Sequence, residues 1–214
     1  MSLPSSPSES KDIAAIGIGT LIVFIAIVLV AGIAASVLVQ TSTTLEMQAL
    51  KTGQQTIHEV ASGIKVEGVS GHNTSGIIDK IGIELTPKAG SPNIDVGETI
   101  LEITDSTTKM VLSYNNHYTN HSSVDGDIFA NGDFGDNYHF GIIVLQDADE
   151  SCTENNPTIN YGDHIILSVD VMSLFNGIHP RSDVSGLVIC EEGSAGIIGF
   201  TIPASLSDAI VKLQ

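Results

Sequence analysis

The chain has 214 residues, with 8 Lys+Arg against 25 Asp+Glu and a formal net charge of −17. That balance excludes a nucleic-acid binder, which needs clustered cations to neutralise phosphates, and with no Trp and only 5% aromatics there is no platform for stacking bases. At 42% hydrophobic and 15% charged residues the composition is also far from that of a disordered chain.

The first ten residues, Met1 to Ser10, are rich in Ser and Pro and are followed by a single base, Lys11. Residues 1–14 read as a short polar leader. From Ile13 to Gln40 no residue is charged. About 20 apolar residues suffice to cross a bilayer as a helix, and hydrocarbon forces a helix because it offers no partner to unpaired backbone groups. A secretory signal peptide fits less well, since its apolar region is about 7–15 residues long. Helical character continues past Gln40. Leu45, Ala49, Leu50, Ile57, Val60 and Ala61 recur at spacings of 3, 4 and 7, the pattern of an amphipathic helix, with Gly53 marking a bend. A helix over 15–62 would be roughly 70 Å long at 1.5 Å per residue, too long to pack wholly on the remaining chain.

After Gly63 the pattern changes to short β-branched runs between Gly, Asn, Asp and Pro. Strands are predicted at Lys65–Val69, Ile77–Leu85, Thr99–Asp105, Lys109–Tyr114, Phe140–Gln146, His164–Val171, Ser182–Cys190 and Gly196–Ile202. Strands without intervening helices predict an antiparallel, Ig-like β-sandwich over 63–214. The fold class is therefore α+β: a long hydrophobic N-terminal α-helix followed by a β-sandwich domain. Residues 71–214 hold 20 of the acids and 5 of the bases, so an acidic β-domain is carried on a nearly uncharged helix.

The segment Ala15-Ile-Gly-Ile-Gly-Thr-Leu-Ile-Val-Phe-Ile-Ala-Ile-Val-Leu-Val-Ala-Gly-Ile-Ala-Ala-Ser-Val-Leu38 resembles the N-terminus of archaellins, the filament proteins of the archaeal swimming organelle. The likeness extends through Val60–Gly68, Phe140–Asp149, Asn160–Asp163, Pro180–Gly186, Glu191–Pro203 and the C-terminal Leu213-Gln214. This resemblance implies a precursor held in the cytoplasmic membrane, trimmed by a prepilin-type peptidase and assembled by an ATPase-driven machine into an extracellular archaellum filament. In that filament many copies pack their helices centrally with the β-domains outward, and rotation comes from a separate motor. Small residues let helix backbones approach closely, so Gly17, Gly19, Ala31, Gly32 and Ala35, with Ala26, Ala34, Ser36 and the bulky Phe24 among them, are the candidate filament-core residues. The family register places the peptidase cut between Ala14 and Ala15, with Asp12 and Ile13 where basic residues are the rule.

Further candidates lie in the β-domain. Asn73-Thr-Ser75 and Asn120-His-Ser122 match the N-glycosylation acceptor pattern, while Asn156-Pro-Thr158 is excluded by its Pro. Asp125, Asp127, Asn131, Asp133 and Asp136 form an oxygen-rich run of the kind calcium takes. The spacing is not that of an EF-hand, Asp147, Asp149 and Glu150 could add ligands, and the alternative is a solvated acidic loop. Cys152 and Cys190 allow one bridge, or two separate thiols with Cys190 as a small core residue. The histidines show no site: His117 and His121 lie in a polar segment with no helix to align them, and Cys190 lacks the His and Met that a copper site would need. No nucleophile elbow, phosphate loop or zinc-helix motif occurs. The sequence thus predicts a non-enzymatic filament subunit needing no cofactor, with calcium as the one candidate. The alternative is a membrane-anchored adhesive or sensory module with a β-sandwich head.

Overall fold

The computed structural model describes residues 7–123 and 126–214. It contains, in chain order, α1 (Pro7–Ala61), β1 (Ile64–Thr74), β2 (Ile77–Pro87), β3 (Ile94–Asp95), β4 (Ile100–Thr104), β5 (Lys109–Thr119), α2 (Ile128–Asn131), β6 (His139–Gln146), β7 (Cys152–Thr153), β8 (Asn156–Ile159), β9 (His164–Asp170), α3 (Val171–Phe175), β10 (Asp183–Ile189), β11 (Gly196–Thr201) and β12 (Ile210–Lys212). The chain divides into two compact units between Gln54 and Gln55.

Unit one is helix alone. α1 opens on Pro7, whose fixed φ suits a first helical position, so the helix reaches back into the predicted leader. It continues without interruption through Gly53, where the sequence suggested a bend. Threonine hydroxyls are satisfied within the helix: Thr41 Oγ1 donates to the Val37 carbonyl at 2.7 Å, Thr43 to Val39 at 2.7 Å and Thr44 to Gln40 at 2.9 Å. These three hydroxyls therefore need no water as an acceptor. The helix ends where Ser62 N–H donates to the His58 carbonyl at 2.8 Å and Gly63 adopts φ +132°, a conformation that side chains disfavour. A Cβ on Gly63 would also lie 2.5 Å from the backbone nitrogen of Ser194.

Unit two holds a nine-stranded sheet of order β11-β10-β4-β5-β6-β9-β2-β1-β12 and a three-stranded sheet of order β3-β8-β7. All eight predicted strands are present, and the large sheet is mostly antiparallel. One pair departs from the fully antiparallel expectation: β5 runs parallel to β6. β5 is also where the sheet changes partner, pairing with β4 through Leu112 and with β6 from Ser113 onward. On the β4, β10 and β11 side burial alternates residue by residue, as in strands with one wet face. At the centre, Phe140–Val144 and Ile165–Val169 are buried throughout. A single hydrophobic cluster draws on both halves, including Leu101, Val188 and Ile198 from one and Ile81, Ile83 and Leu167 from the other.

A second, smaller cluster explains why the centre is buried on its other face. Phe129 and Phe134, from the Asp-rich segment, pack on Ile143 of β6 and Ile166 of β9. Their rings stack at 5.7 Å, and Lys80 Nζ lies 4.7 Å over the Phe134 ring while donating to the Phe129 carbonyl at 3.1 Å. The Asp-rich segment is therefore a cover on the sheet.

Candidate assembly surface and β-domain side-chain clusters

Among the described residues one helix, α1, is long and apolar enough to cross a membrane, and none of its most hydropathic window is buried. Ile16, Val23, Phe24, Ile27, Val30 and Ile33 are each more than half exposed. The candidate core residues sit on this surface. Gly19 lines a shallow apolar notch with Ile16, Thr20, Val23, Phe24 and Ile27; Ala31 lines a second with Val23, Ala26, Ile27, Val30 and Ala34. Such notches between bulky ridges are what a neighbouring helix fills. A Cβ added at Gly17, Gly19 or Gly32 would meet nothing within 4 Å. A mid-helix glycine costs about 1 kcal/mol relative to Ala, and no contact within the chain requires it at these positions. The Ala14–Ala15 register lies inside α1.

The described carboxylates of the Asp-rich segment are each engaged in local hydrogen bonds. Asp125 lies outside the described residues, as does the side chain of Asn131, the last residue of α2. Asp127 caps α2, accepting from Phe129 N–H at 3.0 Å. Asp133 accepts from Gly135 N–H at 3.1 Å and from His117 Nδ1 at 3.0 Å. Asp136 accepts from Tyr138 N–H at 2.8 Å, His139 N–H at 3.0 Å and His139 Nδ1 at 2.7 Å. These bonds, led by that of Tyr138, hold the Asp136 carboxyl below the usual carboxylate range. Capping, turn formation and histidine pairing engage the described carboxylates of this run.

Two clusters that sequence reasoning did not assemble appear instead. In one, single donor atoms of His117, Asp136 and His139 lie within 4.8 Å of one another. In the other the same holds for Asp147, Asp149 and Asp163, joining two of the segments that carry the archaellin resemblance. There Asp147 accepts from Cys152 N–H at 2.9 Å, Asp149 from Asn160 Nδ2 at 2.8 Å and Asp163 from Asn160 N–H at 2.8 Å. Burial, with Asp147 and Asp149 nearby, raises the Asp163 carboxyl above its ordinary value, although the Asn160 N–H pulls the other way.

Both cysteines are free thiols, so the bridged alternative is not what the structure shows. Cys152 is buried in β7 and Cys190 is half-buried just past β10. Burial pushes the Cys152 thiol up to about 12, with Asp147 and Asp163 adding to it, and the Cys190 thiol to about 11. The two sequons differ. Asn73 is a structural clip: its Nδ2 donates to the carbonyls of Leu206 and Asp208 at 3.3 and 3.1 Å, and its Oδ1 accepts from Gly76 N–H at 3.0 Å. Asn120 is exposed just past β5.

Comparison with known proteins agrees with this architecture. A family model described as archaeal-type flagellin matches residues 14–200. Flagellin B2 of Methanocaldococcus jannaschii is 40% identical over 205 residues, covering 94% of each chain. Flagellin B3 of Thermococcus kodakarensis is 35% identical over 254 residues, covering 95% of this chain and 98% of that one. Among solved structures, the crystal structure of archaeal flagellin FlaB1 from M. jannaschii superimposes with a TM-score of 0.66 at 35% identity, over 72% of this chain and 98% of that one. The archaeal flagellum of Methanospirillum hungatei shares the fold, with a TM-score of 0.61 at 12% identity, over 91% of this chain and 98% of that one.

Proposed function

The chain belongs to the archaeal-type flagellin family and is a structural filament subunit, and from that premise we propose that it polymerises through the apolar part of α1 into an extracellular swimming filament. The carrying observation is the exposed apolar surface of α1 with its unobstructed glycines and small-residue notches. The same surface serves two solvents. In the precursor it faces lipid tails; in the filament it faces identical helices, where small residues allow close approach. A contact that does not close into a ring builds an open helical polymer. The acidic β-domain faces water and keeps the fibre soluble. The family match displaces the alternative of an anchored adhesive or sensory module, and no catalytic step is assigned.

Cleavage by a prepilin-type peptidase between Ala14 and Ala15 and export by an assembly ATPase complete the proposal, on the strength of the family membership. We take Asn120 as the preferred glycan acceptor, because attachment at Asn73 would replace a donor of the bonds that hold residues 206–208. Electron microscopy of the extracellular fraction tests the central claim: fibres of regular diameter containing this chain are expected. Single particles with the helix still in lipid would overturn it. N-terminal sequencing of the fibres is expected to begin at Ala15, and Met1 or Ser2 would refute processing.

A further inference from the structure

The β5–β6 junction brings two histidines and two aspartates together by a specific distortion. In the parallel ladder Tyr114 opposes Phe140 and Tyr118 opposes Ile142. β5 thus spends four residues where β6 spends two. The surplus is accommodated as a bulge in which Asn116 takes the left-handed conformation, φ 55°. Bulges re-aim side chains, and this one sets His117 over the start of β6, its ring centroid 6.4 Å from that of His139. His117 Nδ1 lies 3.0 Å from Asp133 Oδ1, while its Nε2 faces Asp136 Oδ2 at 4.0 Å. On the other side Asp136 Oδ1 is 2.7 Å from His139 Nδ1.

We propose that His117, Asp136 and His139 form a binding site for a borderline divalent transition-metal ion of the zinc type, with Asp133 as the residue that positions His117. The donor set is two imidazole nitrogens and one carboxylate oxygen, which suits zinc and its neighbours rather than calcium, a cation that takes six to eight oxygens. An ion bound there replaces the proton shared by His139 Nδ1 and Asp136 Oδ1, 2.7 Å apart, and draws in His117 Nε2, 4.0 Å from Asp136 Oδ2, toward the ligand-to-ligand spacing of about 3.3 Å that metal–ligand bonds of roughly 2.0–2.1 Å give in a tetrahedron. Asp133 supplies the outer carboxylate: by accepting a hydrogen bond from His117 Nδ1–H it fixes the tautomer whose Nε2 carries the free lone pair, and it holds the ring toward Asp136. The side chains of His117 and His139 are each about a quarter exposed, so an ion can enter without unfolding the sheet. A bound ion would tie the bulged strand to the segment entering β6, at the one parallel step of the large sheet.

The test uses the full chain in detergent micelles, stripped with a chelator and titrated with zinc sulfate alone, with zinc content measured after dialysis. One zinc per chain and a raised melting temperature are expected. His117→Gln and His139→Asn are each expected to abolish retention, and Asp133→Asn to weaken affinity about 10–100-fold, the usual effect of losing an outer-shell partner. Circular dichroism of each chelated variant, expected to match the chelated parent, separates lost ligation from lost folding. Cobalt substitution gives a second readout, expected to show the intense visible bands of a low-coordinate site without thiolate character. Zinc retained by the folded His117→Gln, His139→Asn double variant, displacement of zinc by equimolar calcium, or absence of binding to the parent chain would each overturn the proposal.

Discussion

Replacing Gly32 by leucine separates the needs of the single chain from those of the filament. A Cβ at Gly32 meets no atom within 4 Å, so the folded monomer has room for the new side chain. The helix gains, because glycine is about 0.8 kcal/mol less favourable than leucine in a helix interior. A membrane-spanning precursor gains too, since leucine near the centre of a span contributes about −0.3 to −0.6 kcal/mol to insertion. Every effect within the chain and the bilayer is therefore neutral or favourable. In a bundle of identical helices the sign reverses: four carbons forced into a close approach cost about 1–3 kcal/mol at each contact, and about 1.4 kcal/mol is already a tenfold change in an association constant. Because each copy repeats the contact with its neighbours, the losses multiply along the fibre. The assay compares membrane fractions with sheared extracellular fractions by immunoblot, with micrographs of the latter. Gly32→Leu should leave the membrane-bound amount at or above the parental level and remove fibres, with Gly32→Ala intermediate. Abundant fibres from Gly32→Leu, or loss of the protein from both fractions together, would refute the reasoning.

Other expectations concern the β-domain. Thiol titration without reductant should find no reactive group in the native chain near neutral pH, because burial holds Cys152 and Cys190 near 12 and 11, and two groups after denaturation; one disulfide per chain would contradict the free thiols. At the β4–β5 turn, burial raises the Asp105 carboxyl, but hydrogen bonds from the hydroxyl and N–H of Thr107 and the N–H of Thr108 outweigh it and leave the pKa lowered. A lowered folded-state pKa contributes stability that is present above the unfolded value of about 3.9 and is lost as pH falls through the folded value. Melting curves of Asp105→Asn should accordingly show a shallower acid limb than the parent, and superimposable limbs would argue against it. Gly63→Ala should destabilise unit two by at least about 1–3 kcal/mol, since the residue needs φ +132° and a Cβ would press on the Ser194 backbone; an unchanged denaturation midpoint would be the contrary result. Glycopeptide mass spectra of fibres should show modification at Asn120 and an unmodified Asn73, and the reverse pattern would remove the clip argument.

What was readable from the sequence follows from the range of the interactions involved. The helix was legible because 28 uncharged residues from Ile13 to Gln40 leave the backbone one way to satisfy its own polar groups. Strands β6 and β9 were legible because burial on both faces writes continuous apolar runs. A strand that depends on a partner remote in sequence leaves no such local trace. β1 is predicted to end at Val69, yet it runs through Gly71 and Asn73 to Thr74. Gly71 stays in the strand beneath the C-terminal segment, where a Cβ would come within 2.9 Å of Leu213, and Asn73 clips that same segment. A glycine that makes room for another strand and one that ends its own look identical until the partner, here the three-residue β12, is in view.

The placement of the Asp-rich segment is set by partners remote in sequence too. Its carboxylates stand out in the sequence, while Phe129 and Phe134 carry no periodic signal there. In the fold the two rings decide where the loop lies, by packing on Ile143 and Ile166. Gly141 then admits the loop backbone, since a Cβ there would overlap the Asp133 carbonyl. Once docked, the segment presents Asp133 and Asp136 to histidines that lie 22 residues apart, at positions 117 and 139. Nothing in the spacing of His117 and His139 predicts their approach. It depends on a parallel pairing and on the two extra residues of a bulge, and the nearest sequence trace of either is the Asn115-Asn116 pair, a residue type that tolerates the left-handed backbone. Asn116→Val should therefore disturb the histidine pair while leaving the apolar core intact, because the strained position and the core face of β5 are separate. The imidazole signals of His117 and His139 in nuclear magnetic resonance spectra should shift in that variant without a matching change in the buried methyl signals of Ile142 and Leu167.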